Sequence, residues 1–176
     1  MKTLCIIPCG STKIWDENPD IGPTKAKNVY IGSFSKKCKE WTETFYPDSW
    51  CILSAKYGFL FPDDIVPGPY NVSFKDRNGI PIYKLEEQVE EKKLEDYDEI
   101  VVLGGKFYVN TIKRIFKTKK ITTPLDGCKG IGYMLKKLKD EIEEKKKFPT
   151  PEEELEKMKT ELEDHLERDH KRERGK

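Results

Sequence analysis

The sequence has no Cys-x-x-Cys pair, no histidine before His165 and no apolar run approaching the length of a membrane span. Its net charge is only +1, and Gln88 is its one glutamine. Each lack narrows the function. Without paired cysteines, and with both histidines (His165 and His170) in a charged terminal stretch, no structural zinc site is expected. The same placement leaves no imidazole in the body of the chain to act as base for a thiol nucleophile. With no secretory apolar core and no run of about 18 apolar residues, neither an export signal nor a membrane contact is expected, and the chain reads as cytoplasmic. Near-zero net charge is not the strongly basic balance of a typical nucleic-acid binder, though it leaves room for a local basic patch.

What the chain does have suits one α/β domain with an appendage. Its length of 176 residues is enough to bury a core without covalent staples. The five cysteines (Cys5, Cys9, Cys38, Cys51 and Cys128) are an odd number with no export signal, which points to reduced thiols. Thr3-Leu4-Cys5-Ile6-Ile7, closed by Pro8 and Gly10, reads as a strand buried on both faces. Residues 14–32 look irregular. From Ser33, the spacing of Phe34, Cys38, Trp41 and Phe45 predicts a helix that Pro47 ends.

Trp50 to Leu53 predicts a second strand, Glu99 to Leu103 a third and Lys120 to Leu125 a fourth. Between them lie a proline-rich stretch without periodicity (54–81), an exposed helix over 83–94 and a helix over 107–116. The last turns Phe107, Val109, Ile112, Ile115 and Phe116 inward. Another helix runs through Met134, Leu135 and Leu138. Strand alternating with helix implies a mostly parallel sheet of about four strands covered on both faces, a three-layer sandwich. After Lys139 charge dominates, so the domain is expected to span 1–147 and a charged C-terminal helix 148–176. There Thr150-Pro151-Glu152-Glu153 forms a capping box, followed by the stripe Leu155, Met158, Leu162 and Leu166. That stripe suits a solvated helix docked on the body, with a homodimer seam as the alternative.

In a parallel α/β sheet, ligands bind beyond the carboxyl ends of the strands. The unusual residues fall there each time. Pro8-Cys9-Gly10-Ser11-Thr12-Lys13 offers backbone N–H groups, hydroxyls and a cation, the parts of an anion cradle. It is not a Walker loop: GxxxxGK[ST] is absent, and the residues after Lys13 do not look helical. Cys9 reads mainly as a small buried cysteine. Ser54, Lys56, Tyr57 and Gly58 repeat the theme after the second strand, and Tyr57, Tyr70 and Asn71 are suited to face a flat polar ring. Asp63 or Asp64 could serve as a general base, and spacing alone does not select between them. Gly104, Gly105 and Tyr108 follow the third strand, where ligand contact and helix capping weigh evenly; Gly127 to Gly132, with Gly130 and Ile131, leans to ligand contact. The expected catalytic groups are therefore Lys13, Lys56 and Asp63, with the others as ligand contacts and no cofactor.

Residues 8–13, the run 54–62 with Ile65 and Pro69-Tyr70-Asn71, Leu103-Gly104-Gly105 with Tyr108, and Pro124-Leu125 with Gly130-Ile131-Gly132 resemble an uncharacterised family of small prokaryotic and phage proteins. The resemblance covers residues 1 to about 138. The run Ser54–Asn71 also resembles, more faintly, the YaaA peroxide-stress DNA-binding family and the catalytic domain of archaeosine synthase, which modifies a deazaguanine base in transfer RNA. The resemblance implies a pocket for a nucleobase or nucleotide beside residues 8–13 and 54–58. Gly10-Ser11-Thr12, with no Pro-Tyr after Lys13, departs from the archaeosine pattern. Three functions follow as expectations: processing of a nucleobase, nucleoside or nucleic acid by glycosidic cleavage or base modification; DNA or RNA binding in a stress response without catalysis; or nucleotide sensing through the tail helix.

Overall fold

A computed structural model describes residues 1–148 and 150–174. Two compact units divide the chain, Met1–Asp140 and Glu141–Lys176.

In the first unit, the apolar runs become strands as expected: β1 (Thr3–Pro8), β3 (Trp50–Ser54), β6 (Glu99–Val102) and β7 (Lys120–Thr122). Two strands were not expected, β2 (Thr24–Lys25) and β5 (Ile65–Val66), which pair antiparallel with each other. A further one, β4 (Gly58–Leu60), gives the main sheet five strands instead of four, in the order β4-β3-β1-β6-β7. The four expected strands are all parallel, and β4 folds back antiparallel on β3 at the edge.

Alternation sorts the side chains of β1. Leu4 and Ile6 join Cys51, Leu53, Phe59, Ile100 and Val102 in one core. Leu85 of helix α4 (Ile82–Glu91) closes that core, with Ile112 and Phe116 in and just beyond helix α5 (Lys106–Ile115). Cys5 points the other way, near Thr42 and Cys38 of helix α3 (Ser33–Phe45), which runs from Ser33 to Phe45 as its spacing predicted. Burial pushes the Cys5 thiol up to about 12, so it behaves as an apolar filler.

The irregular stretch 14–32 holds two one-turn helices, α1 (Ile14–Glu17) and α2 (Ala26–Val29). A helix therefore does begin directly after Lys13. It escapes periodicity because a single turn has none, and a side-chain cap builds it instead. The β3–β4 hairpin is equally local. Gly58 turns it at φ +74°, and a Cβ there would stand 2.2 Å from Gln88 Oε1. The Gln88 amide accepts the Phe59 N–H (2.9 Å) and donates to the Tyr57 carbonyl (2.9 Å), while Lys92 Nζ donates to the Phe59 carbonyl (2.7 Å).

Helix α6 (Ile131–Lys147) runs through the charged stretch without a break, so the division between the units falls inside it, seven residues before the expected boundary at 147. In the second unit, helix α7 (Pro151–Arg174) opens on the expected capping box: Thr150 N–H donates to Glu153 Oε2 and Glu153 N–H to Thr150 Oγ1, each at 3.2 Å. Leu155, Met158, Leu162 and Leu166 are all exposed.

Candidate functional site

The chain leaves β1 in register, with Cys9 N–H donating to the Leu53 carbonyl at 3.3 Å. It then passes hard against the start of α3, where a Cβ on Gly10 would meet Ser35 Oγ at 2.5 Å. Among the described residues no acceptor within the chain faces the Gly10 and Ser11 N–H groups. Lys13 caps α1: its N–H donates to Asp16 Oδ2 (2.8 Å), and Asp16 N–H returns to the Lys13 carbonyl (2.9 Å). That cap and a bridge to Tyr30 turn the Lys13 side chain inward, leaving it 5% exposed. Its Nζ lies 3.3 Å from the Ser11 carbonyl and 4.4 Å from the centroid of the Tyr70 ring. No carboxylate pairs with it among the described residues. Burial pulls the Lys13 pKa down, against smaller opposing effects of Cys9 and Asp16.

A chain of hydroxyls fixes the ring beneath Lys13. Ser54 Oγ accepts the N–H groups of Lys56 (3.2 Å) and Tyr57 (3.1 Å), which leaves its own proton for the Tyr70 oxygen at 2.9 Å. The Tyr70 hydroxyl is also hydrogen-bonded to that of Tyr30. Burial raises both phenols, so they remain neutral hydrogen-bonding groups. Tyr57 meets Tyr70 edge to face at 5.3 Å, and Lys56 Nζ sits over both rings, at 5.2 and 5.6 Å.

Lys13 borders a cavity of about 290 Å³, just below the usual range of about 300–1,000 Å³ for small-molecule pockets. Cys9, Gly10, Ser11 and Lys13 form one wall, and Ala55 adjoins them. Asn71 to Lys75 form a second, held in place where Ile80 N–H donates to the Ala55 carbonyl at 2.7 Å. Phe107 and Tyr108 make the third. Phe74 packs on Phe107 at 5.3 Å and edge-on against Tyr108 at 5.7 Å, so the upper walls are aromatic. Tyr108 OH lies 3.4 Å from Cys9 Sγ. Neither a carboxylate nor an imidazole lines the cavity among the described residues. Its chemistry is therefore cationic and aromatic, with a thiol and a phenol side by side.

Of the expected site residues, Cys9, Gly10, Ser11, Lys13, Asn71 and Tyr108 line this cavity. Ser54, Tyr57, Tyr70 and Lys56 stand behind or beside Lys13. The others lie elsewhere. Asp63 is exposed and paired with Lys27 (3.2 Å) and Lys25 (3.6 Å), which hold its carboxyl below the ordinary range; it borders a separate depression beside Phe61, Pro62 and Tyr97. Gly58 serves the hairpin turn against Gln88. Gly104, at φ +124°, lets Tyr108 pack close, since a Cβ there would meet Tyr108 Cβ at 3.2 Å, and Gly105 caps α5. Gly130 and exposed Ile131 begin α6 away from the cavity lining.

Phe107, expected in the core, is 45% exposed on the cavity wall. Phe74, Ser73, Lys75 and Tyr30 were not anticipated. For the first three the signal was the length of the 54–81 stretch, since a long loop in a compact domain tends to carry function; Tyr30, in the irregular stretch 14–32, left none.

Residues 4–140 match the model of a family of unknown function, DUF6884, as the sequence resemblance implied. The chain is 45% identical over 148 residues to the uncharacterized protein YfjM of Bacillus subtilis (strain 168), covering 82% of this chain and 98% of that protein. No solved structure matches. Every residue lining the cavity lies inside the matched span, and the chain belongs to the DUF6884 family.

Proposed function

We propose that the cavity takes a nucleobase-bearing anion, and that the protein processes a nucleobase, nucleoside or nucleic acid by base modification or glycosidic cleavage. The observation that carries this reading is Lys13. A buried cation with one carbonyl acceptor, an aromatic face and no carboxylate is costly to hold, and an anionic ligand supplies the missing countercharge. The unbonded N–H groups of Gly10 and Ser11 suit the same anion. Phe74, Phe107 and Tyr108 suit a flat ring.

The resemblance of Ser54–Asn71 to the YaaA and archaeosine synthase families supports the same class of ligand. A cytoplasmic setting suits it too: all five cysteines are free thiols, and no helix among the described residues is long and apolar enough to cross a membrane.

Titration calorimetry with a nucleoside monophosphate, its nucleoside and inorganic phosphate tests the reading. The monophosphate is expected to bind tighter than either part, and Lys13→Ala to erase that preference. Equal binding of all three by both proteins would sink it. A second reading, DNA or RNA binding without catalysis, is favoured by exposed Lys113, Arg114 and Lys117 at and just beyond the end of α5. It requires an affinity for oligonucleotides that falls steeply with salt and survives Lys13→Ala.

A further inference from the structure

The cavity is equipped for only some of the chemistry open to a nucleobase-binding protein. Hydrolysis by an activated water calls for a base beside the water, most often a carboxylate or an imidazole. Neither lines the cavity among the described residues, and Asp63 faces a different depression. The nucleophiles that do line it are the Lys13 amine, the Cys9 thiol and the hydroxyls of Ser11 and Ser73. The hydroxyls have no base to activate them. The thiol is engaged by Tyr108 OH at 3.4 Å, and a sulfur–sugar bond has no nitrogen lone pair to drive its own release. The amine meets both demands, since it attacks as a free base and its lone pair then expels what it has joined.

We propose that Lys13 is a covalent nucleophile that displaces a base from C1′ of a bound nucleoside or nucleotide and passes through an imine. The inference rests on the nucleobase reading above. Lys13, having given its proton to solvent, attacks C1′ through its Nζ lone pair as the C1′–N bond to the base breaks. The electron pair of that bond leaves with the base, which takes a proton from Tyr108 OH, and that hydroxyl is restored from solvent. The new Nζ–C1′ ammonium loses a proton. The nitrogen lone pair then opens the sugar ring, O4′ gains a proton, and a protonated imine remains. Water adds at C1′ and the C–N bond breaks, returning the Lys13 amine. The sum is nucleoside plus water giving free base and free sugar, with no oxidant or reductant.

Three features fit this role. Lys13 is 5% exposed, and burial favours its neutral form. The Tyr70 face and the Ser11 carbonyl fix the amine, no carboxylate pairs with it directly among the described residues, and the opposing effect of Asp16 is smaller than that of burial. Tyr108 lines the same cavity as Lys13, so its hydroxyl is at hand as the proton donor.

The test uses the full chain with 2-deoxyribose 5-phosphate, whose open form carries an aldehyde beside a phosphate, and sodium borohydride to reduce any imine. Peptide mapping by mass spectrometry then locates the adduct. The expected result is an adduct concentrated at least tenfold on Lys13 over the exposed lysines. It disappears in Lys13→Arg, which keeps the charge and loses the nucleophile. Mapping on the unaltered protein decides the matter even if the variant does not fold. Nucleotide binding with adducts spread over exposed lysines and none on Lys13 would overturn the covalent role and leave the nucleobase reading standing. An adduct on Lys13 without nucleotide binding would support the amine as nucleophile and sink the nucleobase reading. Neither adduct nor binding would end both.

Discussion

The first unit carries two surface depressions of opposite character. One, of about 700 Å³, runs past Lys27, Glu43, Asp48 and Asp63; the other is the cavity of about 290 Å³ at Lys13. By size the first would be the site. Its charges, however, are of both signs and exposed or half-buried, and Asp63 is already paired with Lys27 and with Lys25 nearby. Water screens such pairs, and they hold little free energy for a ligand to draw on. The smaller cavity holds a single buried cation with no directly paired carboxylate among the described residues, and rings that pack on one another across its walls. Unmet electrostatic demand marks a binding site better than volume does.

The sharpest way to break this comparison is to exchange the two charges for neutral residues. Lys13→Met is expected to weaken binding of a nucleoside monophosphate by roughly 1.5–3 kcal/mol, the worth of a hydrogen bond to a charged group. Asp63→Asn should leave the affinity unchanged in the same calorimeter. Next in size, Phe74→Ala should cost about 1–3 kcal/mol of nucleotide affinity through lost stacking, while binding of inorganic phosphate stays constant.

Smaller again is the pH dependence of stability. The unfolded chain keeps the Lys13 proton up to the ordinary 10.5, whereas the folded chain releases it at lower pH. Between those two values the unfolded state binds more protons, so stability rises with pH there. Denaturant titrations should show that slope in the wild type, with up to about 1.4 kcal/mol per pH unit missing from Lys13→Met. At the other depression the slope has the same sign, but the charged group stabilises the fold. The Asp63 carboxyl is held below 3.8 by Lys27 and Lys25, so its contribution is present above that value and fades as pH falls through the lowered one. Asp63→Asn should therefore flatten the acid limb only slightly, because the pair is exposed.

The sheet was readable in the sequence because a parallel strand buried on both faces must be continuously apolar, as Leu4 to Ile7 and Ile100 to Leu103 are. Helix α3 announced itself by spacing, and α7 by Thr150 and Glu153. What stayed hidden is built by side chains standing in for backbone. Asp16 makes the turn of α1, and Gln88 makes the hairpin, and neither leaves a period to read. In the site, Lys13 could be named as a cation from its neighbours. Its burial depends on Tyr30 and on Tyr70, 57 positions away, a pairing that single-sequence spacing does not encode. Phe107 was misplaced for a related reason: an aromatic residue on a helix has the same spacing whether it meets a core or a cavity wall.

The Gln88 and Lys92 contacts also bear on how the protein behaves in a crowd. β4 is the last strand on its side of the sheet, and an open edge invites a neighbouring chain to add itself as the next strand. The outward N–H and carbonyl of Phe59 are already bonded to these two side chains, one an amide and the other a charge. An incoming strand would have to displace both while desolvating an ammonium group. The edge is thus sealed against intermolecular sheet growth, and replacing Gln88 or Lys92 with alanine would expose it, with aggregation under native conditions as the visible sign.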